Sequence, residues 1–244
     1  MTGRSVDFSW DRHATFVSRP NRFLARAVID GMESEGPQDV HVHDPGRLKE
    51  VLVPGTRLLV RKAARGHRKT GWDLLAGRVD DTWVLVNSSF HRLISQALLE
   101  DPLLNPFGKA VDLKAEVKVG RSRLDYRMSD EQGRELYIEV KGCSLTVDKV
   151  ALFPDAPTIR GRRHLKELID LAEQGYRAGI LILVLGPGSE CFYPNSSTDP
   201  LFFGTFMEAL EAGVEVHPVR YRIEGSEIRY VGPIPICRNP ADQM

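Results

Sequence analysis

The chain has 244 residues, 42% hydrophobic and 27% charged, with 33 Lys+Arg against 33 Asp+Glu and a formal net charge of zero. That length suits one large or two small domains, and the composition excludes a disordered or collagen-like chain. Zero net charge argues against a protein that coats nucleic acid by bulk charge, while leaving room for a local basic groove.

The first 83 residues read as short strands separated by turn signals. Residues 23–31 (FLARAVIDG) and 38–44 (QDVHVHD) have β character, and 46–55 (GRLKEVLVPG) reads as one or two helical turns closed by Pro54-Gly55. Further strands follow at 56–63, 72–79 and 82–88. Five short strands with one small helix suggest a small barrel, of which the OB-like barrel is one kind. A composition shift near residue 83 marks the expected boundary, giving domains at 1–83 and 84–244.

The second part alternates. Residues 93–100 (LISQALLE) have helical spacing, and three strands follow at 111–120, 122–129 and 135–145. A longer helix spans roughly residues 160–174, with Leu165, Leu168, Ile169 and Ala172 at spacings of three and four. The run at 180–185 (ILILVL) is far short of the roughly 20 residues a bilayer needs and suits a strand buried on both faces. A helix near 203–211 and two more strands complete a mixed α/β sheet with helices on its faces. Cys143, Cys191 and Cys237 are odd in number and widely spaced, which disfavours a disulfide framework and points to a reducing compartment. The N-terminus lacks the apolar core of a signal peptide, so a soluble cytoplasmic protein with no membrane partner is expected.

The segment at 116–141 carries the chemistry. Glu139 and Lys141 are two apart on an apolar strand and so share a face, while Ile138 and Val140 point the other way. Asp125 opens the preceding strand and Glu116 lies on the one before. Buried charge is costly unless paired or bound to metal. Carboxylate oxygens suit Mg2+, with Mn2+ as a substitute, and a lysine beside them could orient an attacking water and offset phosphorane charge. A cross-strand salt-bridge ladder on a half-exposed sheet is the alternative.

Basic residues supply the rest. Arg19 and Arg22 lie within RPNRF, in which Phe23 reads as core or as a platform for a stacked base. Lys62, Arg68 and Lys69 lie in a stretch with no acid, a candidate backbone grip. Arg160, Arg162 and Arg163 crowd a helix start that Thr158 could cap, where cations are locally unfavourable unless a phosphate joins them. Each cluster could instead be a solvated surface. His41 and His43 alternate on one strand without a third metal ligand nearby.

The chain resembles the sugar fermentation stimulation protein A (SfsA) family. The motifs that carry the resemblance are RPNRF (19–23), HVHDPGRL (41–48), HRKTGWDL (67–74), EVKVGRSRLDY (116–126), YIEVKGCSL (137–145), FPDAPTIRGRRHLKEL (153–168), FYPNSSTDP (192–200) and AGVEVHPVR (212–220). The resemblance implies an N-terminal OB-like β-barrel followed by a restriction-endonuclease-like, PD-(D/E)xK α/β domain. It implies DNA binding without marked sequence preference, and a regulator of maltose metabolism. The nuclease-like core falls on Asp125, Glu139 and Lys141, with Asp125 and Glu139 as metal ligands and Glu116 as a further acid. DNA is the expected partner, with RNA and a homodimer left open. The family often has Asn where this chain has Asp44, just ahead of Arg47. An acid there weakens a phosphate contact unless Arg47 pairs with it. Gln96 stands where the family tends to place a helical Glu, which puts a second metal position in doubt.

Overall fold

The structure, a computed structural model, describes residues 4–44, 46–64, 70–120 and 122–237; Arg68 and Lys69 lie outside the described residues. After β1 (Ser5–Asp7) come β2 (Arg12–Asn21), β3 (Leu24–Ile29), β4 (Gln38–His41), β5 (Arg57–Lys62), β6 (Trp72–Val79) and β7 (Thr82–Leu85). Strands β4-β3-β2-β5-β6 are neighbours in that order, and a parallel pairing of β4 with β6 (Val40↔Trp72, His41↔Asp73) closes them into a five-stranded OB-like barrel. β7 hangs on β6, outside the ring.

The ring is not made of the five strands read from the sequence. β2 replaces the last of them. Its alternation is faint, since only Ala14 and Phe16 of its ten residues are buried. Residues 46–55 form no helix. Val51 and Leu52 both donate to the Leu48 carbonyl, at 3.1 and 2.8 Å, and the chain then leaves through Pro54-Gly55. This single turn drives Leu48, Val51 and Leu52 into the barrel core.

The α/β part runs α1 (Ser89–Glu100), β8 (Asp112–Val119), β9 (Ser122–Ser129), β10 (Glu135–Cys143), β11 (Thr146–Val147), β12 (Val150–Phe153), α2 (Ile159–Glu173), β13 (Arg177–Val184), β14 (Cys191–Pro194), α3 (Pro200–Glu211), β15 (Glu215–Glu224) and β16 (Glu227–Pro233). A seven-stranded mixed sheet has the order β1-β16-β15-β13-β10-β9-β8, with β10, β13 and β15 parallel. β1 therefore joins this sheet, not the barrel, by pairing with β16, and the boundary expected after residue 83 falls inside β7. β13 explains the ILILVL run. Ile180, Ile182 and Val184 enter a core with α2 and α3, while Leu181 and Leu183 enter one with α1. β11, β12 and β14 form a separate three-stranded sheet.

Both helix starts over the second core are fixed. Thr158 Oγ1 accepts from Gly161 N at 3.0 Å, the cap read from the sequence. Asp199 caps α3 by accepting from Phe202 N at 2.9 Å, and its other oxygen takes Thr158 N at 2.8 Å.

Cys191 and Cys237 form a disulfide, although the cysteine spacing disfavoured a disulfide framework. Residues beyond β16 run beside β14: Phe192 N donates to Pro235 O (2.9 Å) and Cys237 N to Phe192 O (2.8 Å). That pairing joins cysteines 46 residues apart, and spacing alone could not reveal it. The argument for a reducing compartment loses this support. Among the described residues no helix is long and apolar enough to cross a membrane.

Candidate active site

β9 and β10 pair from Glu135↔Ser129 to Ile138↔Tyr126. At the next rung Asp125 Oδ2 accepts from Val140 N at 2.7 Å, so a carboxylate takes a donor that a strand carbonyl would otherwise hold. The neighbouring pairing is irregular at the same level. Ala115 and Tyr126 pack toward α1, whereas Val119 and Leu124 pack toward α2 and α3, so β8 and β9 both turn over between them. Glu116 sits at that turn with φ +56°, a left-handed conformation that costs a residue with a Cβ.

Glu139 and Lys141 share a face, as their spacing requires, and Ile138 packs on the other. Glu139 Oε1 accepts from both Lys141 Nζ and His164 Nδ1, the latter reaching in from α2. Lys141 Nζ lies 3.5 Å from the same imidazole nitrogen. The Glu139 side chain is 4% exposed and that of Lys141 17%. Glu139 Oε2 is buried with no hydrogen-bond partner.

This environment splits the two acids. Burial works to raise Glu139, but the His164 hydrogen bond and the Lys141 charge outweigh it and hold the carboxyl below its usual range. For Asp125, burial and then the Glu139 charge dominate, and its carboxyl is pushed up to about 6. Adjacent acids driven in opposite directions are characteristic of sites that do chemistry.

A cavity of about 210 Å³ opens on the α1 side of Asp125, bounded by His91, Arg92, Ser95, Glu116 and Tyr126 among others. The His91 ring packs so closely under β10 that a Cβ on Gly142 would fall 2.2 Å from it. Burial, with the Lys141 charge behind it, lowers His91 to about 4 and keeps it neutral. Glu116 does not stand free in this cavity. One oxygen pairs with Arg92 and the other with Arg123, each at 3.2 Å. Gln96 donates to Glu100 at 2.7 Å and does not line the cavity.

Residues 17–86 match the family model of the SfsA N-terminal OB domain, and residues 89–227 match that of the sugar fermentation stimulation protein RE domain. The chain belongs to the SfsA family. It is 45% identical over 234 residues to the sugar fermentation stimulation protein homolog of Methanococcoides burtonii, covering 95% of this chain and 94% of that one. The homolog of Methanothermobacter thermautotrophicus is 42% identical over 220 residues, 90% of each chain. Pyrococcus furiosus SfsA, solved in complex with Ca2+, matches with a TM-score of 0.84 at 30% identity, covering 96% of this chain and 100% of that one.

In this SfsA-family chain, among the described residues, no group of three or more His, Cys, Asp or Glu is set to hold a metal ion. Asp125 and Glu139 are the two carboxylates at hand, and they line different cavities, Asp125 the one on the α1 side and Glu139 a void of about 10 Å³ walled by Leu165, Leu168, Phe202 and Phe206. Asp125 and Glu139 offer hard oxygens, and one of them is buried and unpartnered. Mg2+ commonly takes only one or two protein carboxylates and keeps several waters. Glu116, held by two arginines, does not add a third ligand in this arrangement.

The basic residues divide by what they touch. Arg19 donates to the carbonyls of Arg47 (2.5 Å), Arg22 (2.8 Å) and Asp44 (3.2 Å), so its guanidinium holds the barrel's turn together. Asp44 does not pair with Arg47; its Oδ1 accepts from Gly46 N at 2.7 Å. Asp155, just ahead of α2, accepts from Arg47 N at 2.7 Å and Leu48 N at 3.3 Å, and so ties the barrel to the α/β part. The Arg47 side chain stays exposed, as do Arg22, Lys62, Arg160 and Arg163, while Arg162 is half-buried. A second cavity of about 520 Å³ lies between this turn and residues 152–160, with residues 142–145 beneath it and Arg22 and Arg160 on its walls. It begins one residue beyond Lys141. Phe23, read as core or as a platform for a base, is not core: it is 50% exposed, with the Arg22 guanidinium 5.5 Å above its ring.

His164 is the member of this cluster that the sequence reading passed over. The arginine-rich start of α2 lies beside β10, where this imidazole touches Glu139. Its signal was present: a histidine in phase with Leu165 and Leu168 on the buried stripe of an amphipathic helix.

Proposed function

We propose that this SfsA-family protein binds nucleic acid, DNA in the first instance, and hydrolyses its phosphodiester bonds with Mg2+ or Mn2+. The observation that carries this reading is Glu139, a buried carboxylate with one oxygen held by Lys141 and His164 and the other without a partner. A buried acceptor left unmade is costly, and a cation beside Asp125 would relieve both acids. Asp125 and Glu139 would hold the ion, which when bound supplies Lewis acidity and a more acidic water. Lys141 would orient the attacking water and offset charge growing on the phosphoryl oxygens. The Ca2+ of the Pyrococcus relative is also a hard ion with a taste for oxygen. Arg22 and Arg160 stand where a backbone entering the larger cavity would meet them, and Phe23 offers an exposed face for a base.

Burial favours a second reading, a DNA-binding regulator of sugar metabolism without catalysis. Glu139 borders a void of only about 10 Å³ between the sheet and the two helices, the lower limit for one water. The deciding experiment incubates single-stranded DNA, duplex DNA and RNA with Mg2+ or Mn2+. The wild type should cleave, while Asp125→Ala and Lys141→Ala should bind equally well and leave the strand intact. Undiminished binding with no cleavage by the wild type would transfer the conclusion to the regulator.

A further inference from the structure

We propose that Arg92 and Arg123 form a phosphate clamp at the mouth of the Asp125 cavity, and that Glu116 occupies it until a nucleic-acid strand arrives; the proposal deepens the function given above and rests on its nucleic-acid reading. Three elements converge here. Arg92 comes from the first turn of α1, Arg123 from β9 and Glu116 from β8. One Glu116 oxygen takes Arg92 and the other takes Arg123, each at 3.2 Å. Arginine holds carboxylates and phosphates by the same geometry. A phosphodiester also presents two unbridged oxygens and a single negative charge, so it can replace the carboxylate one for one.

Nothing in the strand pairing calls for an acid at Glu116. It lies between the Ala115↔Tyr126 and Val117↔Leu124 rungs, opposite Asp125, and like charges across a rung are destabilising. Its backbone has a φ of +56°, uncommon for a residue with a Cβ. Arg92 is no better placed. It lies at a helix start, where the dipole opposes a cation and favours an anion, and α1 carries no acid in its first turn. Ser88, at the same helix start, lines the cavity together with Arg92, Glu116 and Asp125. Only two ion pairs in water hold this cluster closed, since the side chains of Arg92, Arg123 and Glu116 are all more than half exposed. Exposed pairs contribute little, so an entering phosphate displaces Glu116 readily. Asp125 does not compete for the arginines, because its Oδ2 is taken by Val140 N.

The test is fluorescence anisotropy of labelled oligo-dT, single-stranded or annealed to oligo-dA, titrated with the full chain at several salt concentrations. Chelator is present so that no cleavage intervenes, and melting temperature is recorded for each variant. Glu116→Gln should bind about 2–30-fold more tightly than wild type, the range set by two exposed ion pairs no longer to be broken. Arg92→Ala and Arg123→Ala should each bind more weakly. Their slopes of log affinity against log salt should be shallower by about 0.7 on the single strand and about 0.9 on the duplex, one phosphate contact each. In a chain that carries both alanines, Glu116→Gln should bring little of that gain. An equal gain there assigns the effect to the general loss of a negative charge and overturns the clamp. So does Glu116→Gln that binds no more tightly than a wild type that binds. If neither wild type nor Glu116→Gln binds either probe, the nucleic-acid reading fails and the clamp with it. Should Glu116→Gln melt well below wild type, the salt slopes of the two arginine variants decide, and unchanged slopes overturn the proposal.

Discussion

Replacing Asp125 with Asn should stabilise the metal-free protein at neutral pH. The Asp125 carboxyl is displaced from 3.8 to about 6 by burial and by the charge of Glu139. A folded-state value above the unfolded one means that the native chain prefers the protonated form. Stability from this group is complete below the unfolded value and is lost as pH rises through about 6. Roughly two pH units at 1.36 kcal/mol each give a penalty of about 3 kcal/mol at pH 8. Asn retains an oxygen for the Val140 N–H and carries no charge. In a chain of this length about 1 kcal/mol moves the melting point by about 2–4 °C. Asp125→Asn should therefore melt about 6–12 °C above wild type in chelator at pH 8, and the gap should close between pH 6 and 4. Added Mn2+ should raise wild type and leave the variant unmoved. Differential scanning calorimetry across that pH range is the assay. A variant that melts no higher than wild type at pH 8, or a gap unchanged at pH 4, would refute the burial argument.

Asp155→Ala removes the acceptor for Arg47 N and Leu48 N, and urea unfolding should show a loss of about 2 kcal/mol. Phe23→Ala should leave stability within about 0.5 kcal/mol, because the ring is already half in water. It should weaken single-strand binding by about 1–3 kcal/mol in fluorescence anisotropy, and unchanged affinity would return Phe23 to an inert surface role. Cys237→Ser opens a link across 46 residues, for which chain entropy gives about 4 kcal/mol. A melting curve indifferent to reductant would show that the bond does not form in solution.

The parts of this fold that depend on local periodicity were legible. The two-residue spacing of Glu139 and Lys141 put both on one face, the unbroken 180–185 run became a strand feeding two cores, and Thr158 proved to be a helix cap. The FPDAPTIRGRRHLKEL motif pointed to the family that the OB and RE domain matches establish. The parts that depend on distant partners were not legible. Nothing near Arg19 in the chain says that its guanidinium will be consumed by the carbonyls of Arg47 and Asp44. Nothing near Glu116 predicts a left-handed backbone inside a strand. That conformation is imposed by two strands turning over together and not by any preference of glutamate. β2 hid because Arg12, Ser18 and Arg19 are tolerated by a barrel wall with one wet face, which blurs the alternation a strand search relies on.

The pairing of β1 with β16 has a practical consequence for dissection. Val6 and Phe8 lie in the core under α1, and Phe8 N donates to Ser226 O at 2.8 Å. The barrel is thus an excursion between the first edge strand and the remainder of the α/β sheet. Severing the polypeptide between Leu85 and Ser89 would not release two intact halves. The C-terminal piece would forfeit a border strand and an aromatic plug to its neighbour, and would hold together in isolation only if residues 4–11 travelled with it.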